Sequence, residues 1–478
     1  MLSRGICLNL FSKSTERLRQ VRSSQSVNGS IFRAVAVVGA ASLVVKLMST
    51  AKELAVAGYY GRSDMLDAYL IALLVPAFLI NLIGGSFNAA LIPTFIEVRE
   101  QQGKEAAQQL FSNVMILSQG LLISLSVATA LCAPWLLRIV ASGFSPAKTQ
   151  LTCHLLYLLL PLVVINGLVS IWAAVLNAGE HFLFAALTPL STPLLSLVGV
   201  VGFGRVWGAW GYAAGTLAGG VLEAVLLARA LQRKQIKLLP RWRGMDQATR
   251  KVCRQWSPVL AGAFLIGGVG FVDQGMAGML PPGSVAALSY GSRIVALVST
   301  MVAGSLSTAV IPYFSAMVAN SDFDGCRHTL RTYRRLALLV SVPITVLLVV
   351  FSRPLIHLLY QRGAFTSSDT MLVSHVQALY SLQIPFFAVS MLHVRMLSAL
   401  KRNDIMMYAA GVNLSLDILF NLICMRWWGV AGIALSTSLF YMASCAFVVF
   451  SANRILRQRT EAAQVAHKLN IAESVAFD

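Results

Sequence analysis

The chain has 478 residues, of which 57% are hydrophobic and only 12% charged, and its mean hydropathy is +0.71. That composition excludes a soluble globular protein, whose charged fraction is about twice as high, and the length leaves no room for a large extramembrane domain beside about twelve spans of about 20 residues. The net charge of +19, from 38 basic and 19 acidic residues, does not indicate a nucleic-acid partner, because the basic residues collect in short connections and tails where the positive-inside rule and anionic lipid account for them.

Residues 1–30 carry Arg4, Lys13, Arg17, Arg19 and Arg22 with no small-residue cleavage site before the first apolar run. They read as a basic cytoplasmic tail rather than a signal peptide. Apolar runs then predict spans near 31–57, 67–95, 107–133, 151–176, 183–204, 208–231, 255–280, 284–318, 327–352, 370–399, 405–424 and 429–453. Cations cluster in the even connections, with Arg233, Lys234, Lys237, Arg241, Arg243, Arg250 and Lys251 in the largest and Arg327, Arg331, Arg334 and Arg335 in the next. The odd connections are poorer in cations, so both termini are expected on the cytoplasmic side. The expectation is an N-lobe over 31–231, a basic cytoplasmic linker over 232–254, a C-lobe over 255–453 and a cytoplasmic tail over 454–478. The seven cysteines form no C-x-x-C pair and read as small packing residues.

Short segments recur at a nearly fixed offset. Gly85-Ser86 with Leu91-Ile92-Pro93-Thr94-Phe95 returns 219 residues later as Gly304-Ser305 with Val310-Ile311-Pro312-Tyr313-Phe314. Pro134 to Gly143 matches Pro354 to Gly363 at 220, and Gly208-Ala209-Trp210-Gly211 matches Gly429-Val430-Ala431-Gly432 at 221. An even number of spans separates the copies, so the chain reads as two parallel six-helix lobes around a central cavity. That is transporter architecture, with the substrate site between the lobes.

Few charges interrupt the apolar runs, and each is costly there unless it faces the bundle interior and a partner. Lys46 and Lys52 on the first span are about 9 Å apart along the axis and about 120° apart around it. Glu53 lies near the face of Lys46, so cavity cations and a structural ion pair across helices both fit. Arg293, among the small residues of Tyr290-Gly-Ser-Arg, offers a fork suited to diphosphate. Asp67 opens the second span, where N-capping and gating both fit. Asp273 sits amid glycines on the seventh span, and Asn413 and Asp417 share a face of the eleventh. With the hydroxyl of Thr437 they offer hard oxygens to a small cation, or a site for proton exchange; salt bridging to another helix is the alternative. No Walker A loop, H-E-x-x-H or G-x-S-x-G motif occurs, so the chain does not read as an enzyme.

The stretch Lys52-Glu53-Leu-Ala-Val-Ala-Gly-Tyr-Tyr-Gly61, then Asp67-Ala-Tyr69, Val75-Pro76 and Gly85 to Pro93, resembles the amino-terminal signature of the MurJ/MviN lipid II flippases. Pro354 to Phe365, ending Gln-Arg-Gly-Ala-Phe, resembles that family's second-lobe motif. The resemblance covers about 31–453 and implies an all-α fold of the multidrug/oligosaccharidyl-lipid/polysaccharide (MOP) exporter type with alternating access. It implies that Lys46, Lys52 and Arg293 bind substrate, and that Asp273, Asn413, Asp417, Thr437 and the carbonyl of Ile433 form a Na+ or H+ coupling set. The chain departs from the family at Ile80-Asn81, where relatives carry an arginine pair, and at Gly84, where they carry a glutamate. It also reads as ending after twelve helices where relatives typically add two.

The function expected is a flippase carrying an undecaprenyl-diphosphate-linked saccharide, either lipid II or an exopolysaccharide repeat unit, across the bacterial inner membrane. Membrane lipids and cell-envelope synthesis proteins are the expected partners, and no cofactor beyond a coupling ion is expected. The rivals are a cation-coupled small-molecule exporter of the same superfamily, a membrane enzyme acting on lipid-linked sugars and a non-transporting cell-envelope scaffold.

Overall fold

A computed structural model describes residues 37–476 apart from 179–181, 235, 237, 239–240 and 243. The basic tail expected over 1–30 lies outside the described residues, and the linker expected over 232–254 is described only in part. Among the described residues, all regular structure is helical. Helix α1 covers 37–60, followed by α2 (Asp64–Gln102), α3 (Lys104–Val140), α4 (Pro146–Leu159), α5 (Pro161–Ala178), α6 (Phe182–Leu187), α7 (Ser191–Trp207) and α8 (Ala209–Arg233). The second half contains α9 (Gln247–Ala277), α10 (Ser284–Ala319), α11 (Phe323–Val350), α12 (Ser352–Tyr360), α13 (Ser367–Ser381), α14 (Gln383–Ala399) and α15 (Asn403–Ala476).

Helix starts follow local chemistry. Ser63, Ser145, Asp246 and Asp322 accept hydrogen bonds from the first turns of α2, α4, α9 and α11, and Thr366 with Asp369 forms a capping box on α13. Among the described residues, ten stretches are long and apolar enough to cross a membrane. The longest, Asp404–Glu461, holds two spans joined at Gly429, and α1, which carries Lys46, Lys52 and Glu53, adds another. The protein is a multi-pass membrane protein. Within the segment expected as a tail from 454, the chain is helical, continuing α15 to Ala476.

Gly208 and Gly429, paired by the sequence repeat, share one backbone conformation, φ 53°, ψ −133° and φ 56°, ψ −132°. An L side chain is strained there, so glycine sets the tight junction between the last two spans of each half.

The turns at 61–63, 141–145, 278–283 and 361–366 gather at one end of the bundle, here the Arg62 end. There one continuous core draws on both halves, including Ala57, Leu66, Leu137, Val285, Tyr290, Tyr360 and Phe365. At the opposite end the second half has its own smaller core, around Phe314, Cys326, Leu330, Met396 and Leu456. Helix α9 packs against both α2 and α15 and carries the link between halves at that opposite end, where Lys251 pairs with Glu97 at 2.7 Å and Gln255 accepts from Thr94.

Candidate functional site

Glu53 of α1 is the centre of the ionic arrangement between the halves. Its Oε1 lies 2.9 Å from Nζ of Lys52 and 3.1 Å from a guanidinium nitrogen of Arg293 on α10. The Glu53 and Lys52 side chains are 14% and 18% exposed, whereas that of Arg293 is 49% exposed. The carboxylate is therefore enclosed while one of its two cations still faces open space. Tyr212 of α8 lies under Lys52, its ring 5.6 Å from the ammonium, and stacks on Tyr69, whose hydroxyl bonds Thr216 at 2.9 Å. A cation held over an aromatic face keeps part of its stabilisation when its carboxylate partner is taken away.

Lys46 does not join this group. It lines a separate cavity of about 820 Å³ with Arg99, Asn177 and apolar residues of α1, α2 and the 185–189 segment. Arg99 is tied to Glu100 and to the carbonyl of Ala178, both at 3.0 Å.

Asp67 caps a helix other than its own. Ser63 caps α2, while the buried Asp67 carboxylate accepts from the backbone N–H of Gly283 at 2.7 Å and of Ala286 at 2.8 Å, at the start of α10. Gly283 has no side-chain oxygen to cap α10, so a carboxylate from the other half supplies it. Lys148 of α4 completes the site, 2.9 Å from Asp67 and 2.6 Å from Asp64. Nearby, Arg62 lies 3.1 Å from Asp369, Ala364 N–H donates to Gly58 at 2.8 Å, and the Tyr290 hydroxyl donates to Gly61 at 3.2 Å. The Arg62 end is thus closed by several polar links above the shared core.

The second acidic group lies within the C-terminal half. Asp273 accepts from Asn421 at 2.8 Å and from Thr437 at 3.2 Å, and Thr437 also reaches the Ile433 carbonyl. Ser436 donates to Asn421 at 2.5 Å. Asp417 is fully buried beside Asp273, and neither of its oxygens has a hydrogen-bond donor. Asn413 lines the adjoining cavity but makes no bond to Asp273.

The family model described as "Lipid II flippase MurJ" matches residues 56–476. The chain belongs to that family. MurJ proteins are transporters, not enzymes, and two relatives show the distance within the group. The probable lipid II flippase MurJ of Synechocystis sp. is 24% identical over 445 residues, covering 89% of this chain and 82% of its own, and that of Thermotoga maritima is 25% identical over 442 residues, covering 90% and 86%. Among solved structures, "Lipid II flippase MurJ, inward closed conformation" matches with a TM-score of 0.77 at 23% identity over 87% of each chain. An inward-facing multidrug resistance MATE family transporter of the MOP superfamily matches with the same TM-score at 13% identity, covering 88% of this chain and 99% of its own. The MurJ fold is therefore the MOP fold.

Of the residues singled out from sequence, the structure brings Lys52, Glu53 and Arg293 together, and likewise Asp273, Asp417, Thr437 and Ile433. Lys46 stands apart from the first group, and Asn413 makes no bond within the second. Tyr212, Lys148 and Asn421 were not foreseen. Asn421 alone had a readable signal, since it continues the face of Asn413 and Asp417 at i, i+4, i+8.

Proposed function

We propose that the protein flips a polyprenyl-diphosphate-linked saccharide from the cytoplasmic to the outer leaflet of the bacterial inner membrane by alternating access, with both termini cytoplasmic. The observation that carries this reading is the sharing of Glu53 by one cation from each half. A diphosphate carries more charge than one carboxylate and accepts an arginine fork, so it competes with Glu53 for Lys52 and Arg293. The names printed for the relatives support lipid II as the cargo, with a related exopolysaccharide unit as the other member of the class. The expected lobe boundaries, 31–231 and 255–453, assign the two cations to different lobes.

In this reading the Arg62 end faces outward, since the cation-rich connections lie at the other end. The closure around Asp67, Lys148, Arg62 and Asp369, with the half-exposed Arg293 beneath it, describes a site shut to the outside. Lys46 and Arg99 lie nearer the cytoplasmic end and add positive charge on the route in. The resetting step falls to Asp273 and Asp417, because two adjacent buried carboxylates need a proton or a cation to offset their repulsion. The donor set of Asp273, Asp417, Thr437 and the Ile433 carbonyl suits Na+, and the free oxygens of Asp417 fit such an ion. When bound, it would supply the positive charge the pair lacks.

The test is leaflet translocation of defined polyprenyl-diphosphate saccharides in proteoliposomes, comparing the native chain with Lys52→Ala and Arg293→Ala. Both variants are expected to lose most translocation. Undiminished flipping in both would sink the diphosphate reading and favour a small-molecule exporter or a scaffold.

A further inference from the structure

A cavity of about 620 Å³ lies wholly among helices of the C-terminal half, lined by α9, α10, α13, α14 and both spans of α15. Its volume falls within the range of about 300–1,000 Å³ usual for small-molecule sites. It shares no lining residue with the Lys46 cavity and has no cation in its wall, so it is not built for phosphate.

What it offers is amides. Gln274, Gln383 and Asn413 line it, and none of the three side chains has a hydrogen-bond partner among the described residues. Gln383 is only 8% exposed overall, and an amide with no protein partner that lines a cavity is free to bond water or a ligand there. Each amide both donates and accepts, which matches a hydroxyl or an N-acetyl group better than a charged ligand. The same cavity holds an aromatic cluster, with Phe440 and Tyr441 stacked at 4.4 Å and Phe387 edge-on to Tyr441 at 5.8 Å. Pyranose rings present polar edges and an apolar C–H face, which amides and aromatic rings lining one cavity complement. The cavity also adjoins the ion triad: Ser289 and Ala296, both in its wall, lie four residues before and three after Arg293 on α10 and so share its side of the helix. In a polyprenyl-diphosphate glycan the first sugar is joined directly to the diphosphate, so a diphosphate on Arg293 places that sugar next to this opening.

We propose that this C-half cavity is the saccharide subsite, in which the sugar proximal to the diphosphate meets Gln274, Gln383 and Asn413 and packs against the rings of Phe387 and Tyr441. The proposal rests on the flippase reading and deepens it by separating recognition of the sugar from recognition of the diphosphate. Asp273 lines the same cavity, so sugar occupancy and the charge state of the acidic pair are in contact across one wall.

The experiment measures binding of two probes, undecaprenyl diphosphate and undecaprenyl-diphosphate-N-acetylglucosamine, to the full chain in nanodiscs. Gln274→Leu and Gln383→Leu are each expected to weaken the sugar-bearing probe about tenfold while leaving the bare diphosphate unchanged, whereas Arg293→Ala weakens both. Binding of the bare probe also checks that each variant is folded. As a measurement that spares the amides, Ser299→Cys in the cavity wall is expected to be shielded from a maleimide by the sugar-bearing probe and not by the bare one. Equal affinity of the native chain for both probes, equal loss of both in the glutamine variants, or no differential shielding overturns the subsite. Failure of the native chain to bind either probe overturns the flippase reading instead.

Discussion

Glu53 satisfies two cations in the resting site, and its removal separates binding from release. In Glu53→Gln the diphosphate no longer has to displace a carboxylate, so affinity is expected to rise about tenfold while the flipping rate falls, because tight binding before the change of state slows the cycle. Equilibrium binding and single-turnover translocation check this, and unchanged affinity would remove Glu53 as the competitor. A second residue-level expectation concerns Lys148, only 6% exposed at its side chain and shared by Asp64 and Asp67. Lys148→Met leaves the Asp67 carboxylate buried with two backbone N–H donors but no counter-charge, a change expected to cost about 3 kcal/mol. Thermal unfolding in detergent reports it as a lowered midpoint, and a Tm within a degree of native contradicts it. The cations of the ion triad were legible in the sequence because a charge in an apolar run demands a partner. Lys148 was not, since it lies at the start of its span, where a lysine ordinarily reaches water, and only tertiary packing buries it.

At the scale of elements, the length of the apolar runs revealed the membrane spans, though not short helices such as α6 and α12. The breaks inside spans were less visible. The fourth span divides at Leu160–Pro161 and the tenth at Leu382, three residues before Pro385, whereas Pro76, Pro134 and Pro343 are carried within unbroken helices. Helix α15 extends well past the apolar run that defined its last span, because hydrogen bonding along a helix does not stop where hydropathy does. Gly61 is the element-level test. Its φ is 52°, and a Cβ there would meet the backbone carbonyl of Ala364. Gly61→Ala is expected to lower stability by roughly 2 kcal/mol or more through strain and lost closure of the Arg62 end. Gly120→Ala, with open space around its Cβ position, is expected to be neutral or stabilising in the same thermal assay.

For the whole molecule, the internal repeat revealed the parallel halves, and the paired glycines 208 and 429 repeat it in backbone geometry. The closed end could not be read from sequence, since alternate states of one chain differ by a few kcal/mol spread over many contacts. Cross-linking addresses it directly. In a chain with the seven native cysteines replaced, Arg62→Cys with Asp369→Cys should couple through a short reducible linker, halt translocation and recover on reduction. Continued flipping by the coupled protein would show that the Arg62 end need not open.

The cap that Asp67 places on α10 carries one more consequence. When the halves part at the Arg62 end, the Gly283 and Ala286 amides lose their acceptor together and must turn to water, so separation of two domains is registered as fraying of a single helical turn. Their hydrogen exchange therefore serves as a clock, its rate set by how often the Arg62 end opens.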